Sequence, residues 1–241
     1  MYQNVIGEAL MIEIIQTGQA GKTELLFDMH RLRKRVFKDR LQWDVTVNAQ
    51  GLEIDQFDTP EAVYLLHLNT ARRVTGSWRL LSCAGPTMLR DIWPEYLQDL
   101  HMPSRGDCIE VSRFAVDCPA DNLQQVIAET QQAIGEMFCA LTEFCMRIGV
   151  GYVYTLYDAR IAKVINKIDC TPQSVSETLP IDGMACQAGI FKTDTDMLQR
   201  LRAATGIQSP LISKIQNPPY LVFGQPAGEQ ETYDEASKKP A

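Results

Sequence analysis

The chain runs to 241 residues, 45% of them hydrophobic, which is enough to bury one full α/β core without a second domain. A formal net charge of -7 argues against a general nucleic-acid binder, because neutralising phosphates takes basic surface. Seven cysteines without a C-x-x-C pair, and three histidines (His30, His67, His101) away from metal-ligand spacing, argue against a disulfide framework and a zinc centre.

The cysteines (Cys83, Cys108, Cys118, Cys139, Cys145, Cys170, Cys186) read instead as reduced, mostly buried thiols of a cytoplasmic protein. No apolar run is long enough to cross a bilayer, and the N-terminus lacks a basic segment followed by an apolar one. Met11 opens the strand-like MIEIIQT and is a candidate start, with residues 1–10 an N-terminal extension. Residues 11–224 are expected to form a single domain, and the polar stretch 225–241 a disordered tail.

Met11 to Gln16 alternates and is β-branched, which predicts a first strand before a Gly18/Gly21 turn. From Thr23 as N-cap, Leu25, Leu26, Met29, Leu32, Val36 and Phe37 recur at helical spacing opposite Arg31, Lys34, Arg35 and Lys38. Gln42 to Asp58 lacks periodicity and reads as a long loop that folds over a site. Strands are predicted at Val63 to Leu68, Val74 to Ser82 and Cys108 to Val116, with Gly76 marking a bulge or a close backbone approach. Pro86 to Arg105 is loop with one short helix. Asp121 to Ile148 carries the longest helical pattern, with Leu123, Ile127, Ile134, Phe138, Leu141 and Phe144 on its apolar stripe and Gly149 as its stop. A buried strand from Gly151 to Tyr157, a helix from Asp158 to Ile168, a late strand from Ala185 to Phe191 and a helix from Thr193 to Ala204 complete an α/β order with one mixed sheet between helices.

The candidate chemistry lies in charged residues at apolar places. Asp55 and Asp58, with Glu53 in EIDQFD, read equally as turn formers or as partners for Arg33 and Arg79, which would otherwise be costly beside apolar surface. In the strand CIEVSRFAV, strict alternation puts Glu110, Ser112 and Phe114 on one face and Val111, Arg113 and Ala115 on the other. That strand is either a solvated edge or, since buried charges must be paired, part of a site. Phe37 and Trp43 are ordinary core aromatics or, with Trp43 flanked by Gln42 and Asp44, a stacking wall for a ligand. Ser112 has no nearby His or G-x-S-x-G elbow, and no glycine spacing fits a phosphate loop.

Taken in order, LRKRVFKDRLQW, EIDQFD, a strand bearing RLL, PTMLR and EVSRFAV resemble the signature series of the acyl-homoserine-lactone synthases, over roughly Met11 to Gly224. The positions that match the family's charged and aromatic signature are Arg33, Phe37, Trp43, Asp55, Asp58, Arg79, Glu110 and Arg113. The resemblance implies an N-acetyltransferase-like fold, a mixed twisted sheet sandwiched by helices with a V-shaped splay between its central strands. It also implies a reaction in which S-adenosylmethionine is a substrate. Its amine attacks an acyl thioester on acyl carrier protein, and its carboxylate then displaces methylthioadenosine to close the lactone, with no cofactor and no metal.

On that resemblance Glu110, directly or through a water, is the candidate base. Asp55 and Asp58 neutralise the cationic end of the substrate or brace the arginines, while Arg33, Arg79 or Arg113 hold the carboxylate or tie the loop to the sheet. Phe37 and Trp43 flank the adenosylmethionine pocket. The acyl pocket is assigned to Ser112, Phe114, Thr155, Met88, Met137, Leu141 and Leu156, Thr155 matching the family position where Thr goes with 3-oxo-acyl substrates. Acyl carrier protein is acidic, so docking is placed on Arg147, Arg160, Lys163 and Lys167, which otherwise form a solvated helix face. A monomer is expected. The rival readings are the same reaction from acyl-coenzyme A and a noncatalytic ligand-binding domain of the same fold.

Overall fold

The structure is a computed structural model that describes residues 12–212. The expected extension at 1–10, the candidate start Met11 and the expected tail at 225–241 lie outside the described residues. Among the described residues, five α-helices pack on one sheet of eight strands. The order of elements is β1 (Ile12–Gln16), α1 (Thr23–Arg33), a π-helical turn (Lys34–Arg40), β2 (Val63–Leu68), β3 (Val74–Ser82), α2 (Met88–Ile92), β4 (Cys108–Val116), α3 (Leu123–Ile148), β5 (Tyr152–Asp158), α4 (Ala159–Lys167), β6 (Ser174–Val175), β7 (Leu179–Ile181), β8 (Met184–Lys192) and α5 (Thr195–Thr205).

The sheet runs β1-β2-β3-β4-β5-β8-β6, with β7 also paired to β8. The β4–β5 pair is parallel and its neighbours are antiparallel. Pairing between β4 and β5 covers only Cys108 to Glu110 against Tyr152 to Tyr154, although both strands continue. Past that last rung the strands diverge, and the main chain of each loses its partner across the gap. This is the expected splay.

Two apolar layers hold the sheet. On one face Trp78, Val111, Met137, Phe138 and Phe144 join β3 and β4 to α3, with Ile165 from α4 and Leu201 from α5. On the other, Met29, Leu32, Val36 and Phe37 cover Tyr64, Leu66 and Leu81. The periodicity that predicted each strand and helix is therefore spent on burial, as expected for amphipathic elements.

The structure departs from the sequence reading at several points. Thr23 is the first helical residue and Lys22 the N-cap, and the expected helix to Phe37 widens into a π turn after Arg33. In that turn Leu41 N–H donates to the Val36 carbonyl and Trp43 N–H to that of Phe37, which turns the chain so that Trp43 stacks on Phe37. Leu123 and Ile127, placed on the apolar stripe of α3, are 73% and 47% exposed, because its first turns project beyond the sheet. The short strands β6 and β7 have too few residues to show a period. At Gly76 the expectation of close approach holds: an added Cβ would stand 2.6 Å from Met137 Sδ.

Candidate active site

A single bulge in β4 organises the site. Arg79 pairs with Ser112 and Ser77 with Ala115, so Trp78 alone opposes both Arg113 and Phe114. Arg113 takes a left-handed backbone (φ 58°) at this point. The extra residue reverses the alternation beyond Ser112. Arg113 comes to the side of Glu110 and Ser112, and Phe114 goes to the opposite side, its ring 4.7 Å from Trp78 and 5.9 Å from Phe138. The expected faces of Arg113 and Phe114 are thus exchanged.

On the Arg113 side the loop expected over a site lies against the sheet through three arginines and three carboxylates. Arg33, fully buried, bonds Glu53 through Nε and Asp58 through Nη1 (2.7 Å) and Nη2 (2.8 Å). Arg79 donates to Asp55 Oδ1 (2.5 Å), Asp58 Oδ1 (3.1 Å) and Ser112 Oγ (3.1 Å). Arg113 reaches Glu53 Oε1 (3.1 Å), and its Nη2 is 2.6 Å from Asp55 Oδ2, a contact close enough for ion pairing but off the angle of a hydrogen bond. Tyr64 donates to Asp58 at 2.9 Å. Burial pushes the Asp58 carboxyl up, but Arg33 and Arg79 outweigh it and hold it well below the usual carboxylate range. Of the two roles open for Asp55 and Asp58, the geometry has them bracing arginines.

Glu110, 1% exposed, ends the last β4–β5 rung and receives the N–H groups of Met88 (3.0 Å) and Leu89 (2.7 Å) at the start of α2. Burial raises its pKa to about 7 despite those two N–H groups and the Arg79 charge. The carboxyl is therefore poised near neutral pH.

Two cavities meet at the splay. The front one is lined by Phe37, Trp43, Met88, Glu110, Ser112 and Arg113. The rear one passes between the strands to Leu141, Thr155, Ile165, Cys170, Phe191 and Met197. Ser112, Arg113, Phe114 and Leu156 line both. Phe37 and Trp43 stack in parallel at 5.2 Å, and Trp43 Nε1 is buried with no hydrogen-bond partner among the described residues. Two of the residues assigned to an acyl pocket, Met88 and Met137, do not line the rear cavity. Met88 lines the front cavity, its Sδ 3.6 Å from Arg79 Nη2 and 3.4 Å from Arg113 Nη1. Met137 lines neither cavity and fills the space over Gly76.

The basic row keeps its place on α4, where Lys163 and Lys167 are exposed, while Arg160 is ion-paired with Asp158. Arg147, on α3, donates to the Ile212 carbonyl at 3.1 Å, which holds it to the segment after α5. Glu53 belongs to the ion network, yet only its place in EIDQFD hinted at that, since nothing local marks a glutamate as buried. Thr87 and Tyr154, whose hydroxyls lie 2.8 Å apart behind Glu110, carried no signal beyond the PTMLR motif.

A sheet split beside a bulge, with a chamber opening through the split, is the N-acetyltransferase-like architecture. A putative N-acetyltransferase from Lactobacillus plantarum shares it at a TM-score of 0.50, 11% identical over 76% of this chain and 99% of its own. A coenzyme A-dependent acyl-homoserine lactone synthase, BjaI, solved with S-adenosylmethionine and isopentyl-coenzyme A, superposes at a TM-score of 0.70, 23% identical, covering 83% of this chain and 92% of its own. A probable acyl-homoserine-lactone synthase of Sinorhizobium fredii is 32% identical over 212 residues, 86% of this chain and 94% of its own length. The autoinducer synthase family model matches residues 19–201, and the chain belongs to that family, as an acyl-homoserine-lactone synthase and hence a transferase. No helix among the described residues is long and apolar enough to cross a membrane.

Proposed function

We propose that the enzyme makes an N-acyl-L-homoserine lactone from S-adenosylmethionine and an acyl thioester carried on acyl carrier protein. The observation that carries this reading is the junction at Ser112 to Phe114, where a front cavity that holds the charged Glu110 and Arg113 among aromatic and apolar side chains and a rear one walled by apolar side chains share their lining beside the split. One chain walls both cavities, which fits a monomer.

S-adenosylmethionine takes the front cavity. Arg113 meets its carboxylate, with Met88 displaced from between the two guanidinium groups, and Trp43 Nε1 donates to the adenosyl portion beside the Phe37 stack. The acyl chain lies in the rear cavity against Phe114, Leu141 and Leu156. Glu110, whose pKa burial raises to about 7, takes the proton from the ammonium in its ionised form, directly or through a water. The freed amine attacks the thioester carbon. Main-chain N–H groups past the last β4–β5 rung face the developing oxyanion, and the thiol departs as the amide forms. The substrate carboxylate then displaces methylthioadenosine from its own γ-carbon and closes the lactone. S-adenosylmethionine is consumed, so this chemistry calls for no cofactor.

Ser112 Oγ accepts from Arg79, which leaves its own proton for a substrate carbonyl, and Thr155 Oγ1 has only a long 3.4 Å bond to the Leu156 carbonyl. Both hydroxyls line the rear cavity, which supports a role for them in binding a 3-oxo group. Lys163 and Lys167, exposed on α4, offer a local positive charge to an acidic carrier on an enzyme that is itself acidic, with Arg160 on the same helix paired to Asp158. Methylthioadenosine release with matched acyl-carrier-protein and acyl-coenzyme A donors tests the reading. Faster turnover with the carrier protein is expected; preference for coenzyme A would replace the donor, and no release with either would remove the reaction.

A further inference from the structure

Glu110 and Tyr154 are partners on the last rung of the β4–β5 pair, and both are almost wholly buried. Thr87, fully buried, sits behind them as the residue before α2, with its Oγ1 2.8 Å from the Tyr154 hydroxyl. The next two residues, Met88 and Leu89, give their N–H groups to Glu110. Thr87 thus stands between the tyrosine hydroxyl and the carboxyl, and its side chain is among the groups that hold the Glu110 carboxyl down against burial.

We propose that Tyr154 and Thr87 are positioning residues for Glu110, forming a hydroxyl chain whose direction follows the charge on the carboxyl. When Glu110 is ionised, Tyr154 donates to Thr87 and Thr87 donates to the carboxylate. When Glu110 is neutral, Thr87 turns and donates to Tyr154. A hydroxyl has one proton and two lone pairs, so it serves either state by rotating. Bonds in series polarise one another, so the chain favours the ionised form more than Thr87 alone would. It offsets part of the burial that raises the carboxyl and keeps Glu110 in reach of physiological pH.

The other charged or titratable groups facing Glu110 are Arg79 from β3, Cys83 just after it and Arg113 from β4, with Asp44, Asp158 and Asp182 on the wall of the front cavity. The Cys83 thiol meets the Tyr154 side chain, so Tyr154→Phe is read in a Cys83→Ala background, while the Thr87→Val and Thr87→Ser pair reports the hydroxyl chain directly.

The inference rests on Glu110 as the base, and the experiment separates the two. The pH profile of kcat/KM and the carboxyl titration of Glu110, followed by 13C NMR, are recorded for Thr87→Val, Thr87→Ser and Tyr154→Phe. The NMR midpoint is expected to rise by about one pH unit in Thr87→Val and a few tenths in Tyr154→Phe, and to return in Thr87→Ser. The acid limb of kcat/KM moves in parallel. A midpoint unchanged in both Thr87→Val and Tyr154→Phe overturns the inference; if the former does not fold, Tyr154→Phe decides alone. A midpoint that moves while the kinetic limb stays leaves the chain standing and removes Glu110 as base.

Discussion

Arg33 holds Asp58 through two parallel bonds of 2.7 and 2.8 Å, joining the end of α1 to the loop that walls the front cavity. Neither side chain has meaningful access to water, so the pair is a strut whose loss strands a buried charge. Asp58→Asn is expected to destabilise the protein by about 3 kcal/mol, read as a lower urea midpoint at an unchanged m-value. A loss under about 1 kcal/mol would mean that Glu53 alone neutralises Arg33.

Asp58 and Glu110, two carboxyls of the site whose pKa values are shifted, have opposite effects on stability with pH. Asp58 is held below its ordinary value of 3.8, so its contribution is present above that value and lost as pH falls beneath it. Glu110 is raised from 4.5 to about 7, so its contribution is fully present below 4.5 and lost as pH rises through 7. Glu110→Gln does not titrate. The wild type is expected to lose stability relative to this variant from pH 5 to pH 8, measured by thermal unfolding; a constant difference would show an unperturbed carboxyl.

With Glu110 as the proposed base, amide formation depends on its ionised form. The wild-type rate is expected to climb with pH to a plateau above about 7, and Glu110→Gln to be slower by roughly a hundredfold or more at pH 8. Single-turnover formation of acyl-S-adenosylmethionine isolates this step from lactone closure. A fall of less than threefold would transfer the proton to water or another group.

Thr155 faces the rear cavity with a weakly engaged hydroxyl. Thr155→Val keeps the shape and removes the donor. The ratio of kcat/KM for 3-oxo over unsubstituted acyl donors should drop about five- to tenfold, the worth of one neutral hydrogen bond. An unaltered ratio would assign that discrimination to Ser112 or to chain packing.

Lys163 and Lys167 lie one helical turn apart on α4. Replacing both with Glu is expected to raise KM for the acyl carrier protein several-fold, leave KM for S-adenosylmethionine alone and flatten the salt dependence of turnover. Equal KM values for wild type and variant would place docking on another surface.

Most elements were legible because a chain that buries one face of a helix or strand must repeat its apolar residues at 3.6 or 2. β2, β3 and β4 begin and end where the strand-like runs predict. The candidate charges were visible too, since Arg79 or Glu110 within an apolar strand has to find a partner. Which partner was decided by tertiary structure. Strict alternation sends Arg113 away from Glu110; a bulge against Trp78 brings it back and turns Phe114 behind the sheet. Glu53 enters the site because the loop folds it between Arg33 and Arg113, and Met137 stays out of the rear cavity because Gly76 lets α3 come close. Period and composition act within one element and can be read along the chain. Register shifts, bulges and loop placement are settled by packing between elements far apart in sequence, and they determine which side chains share a cavity.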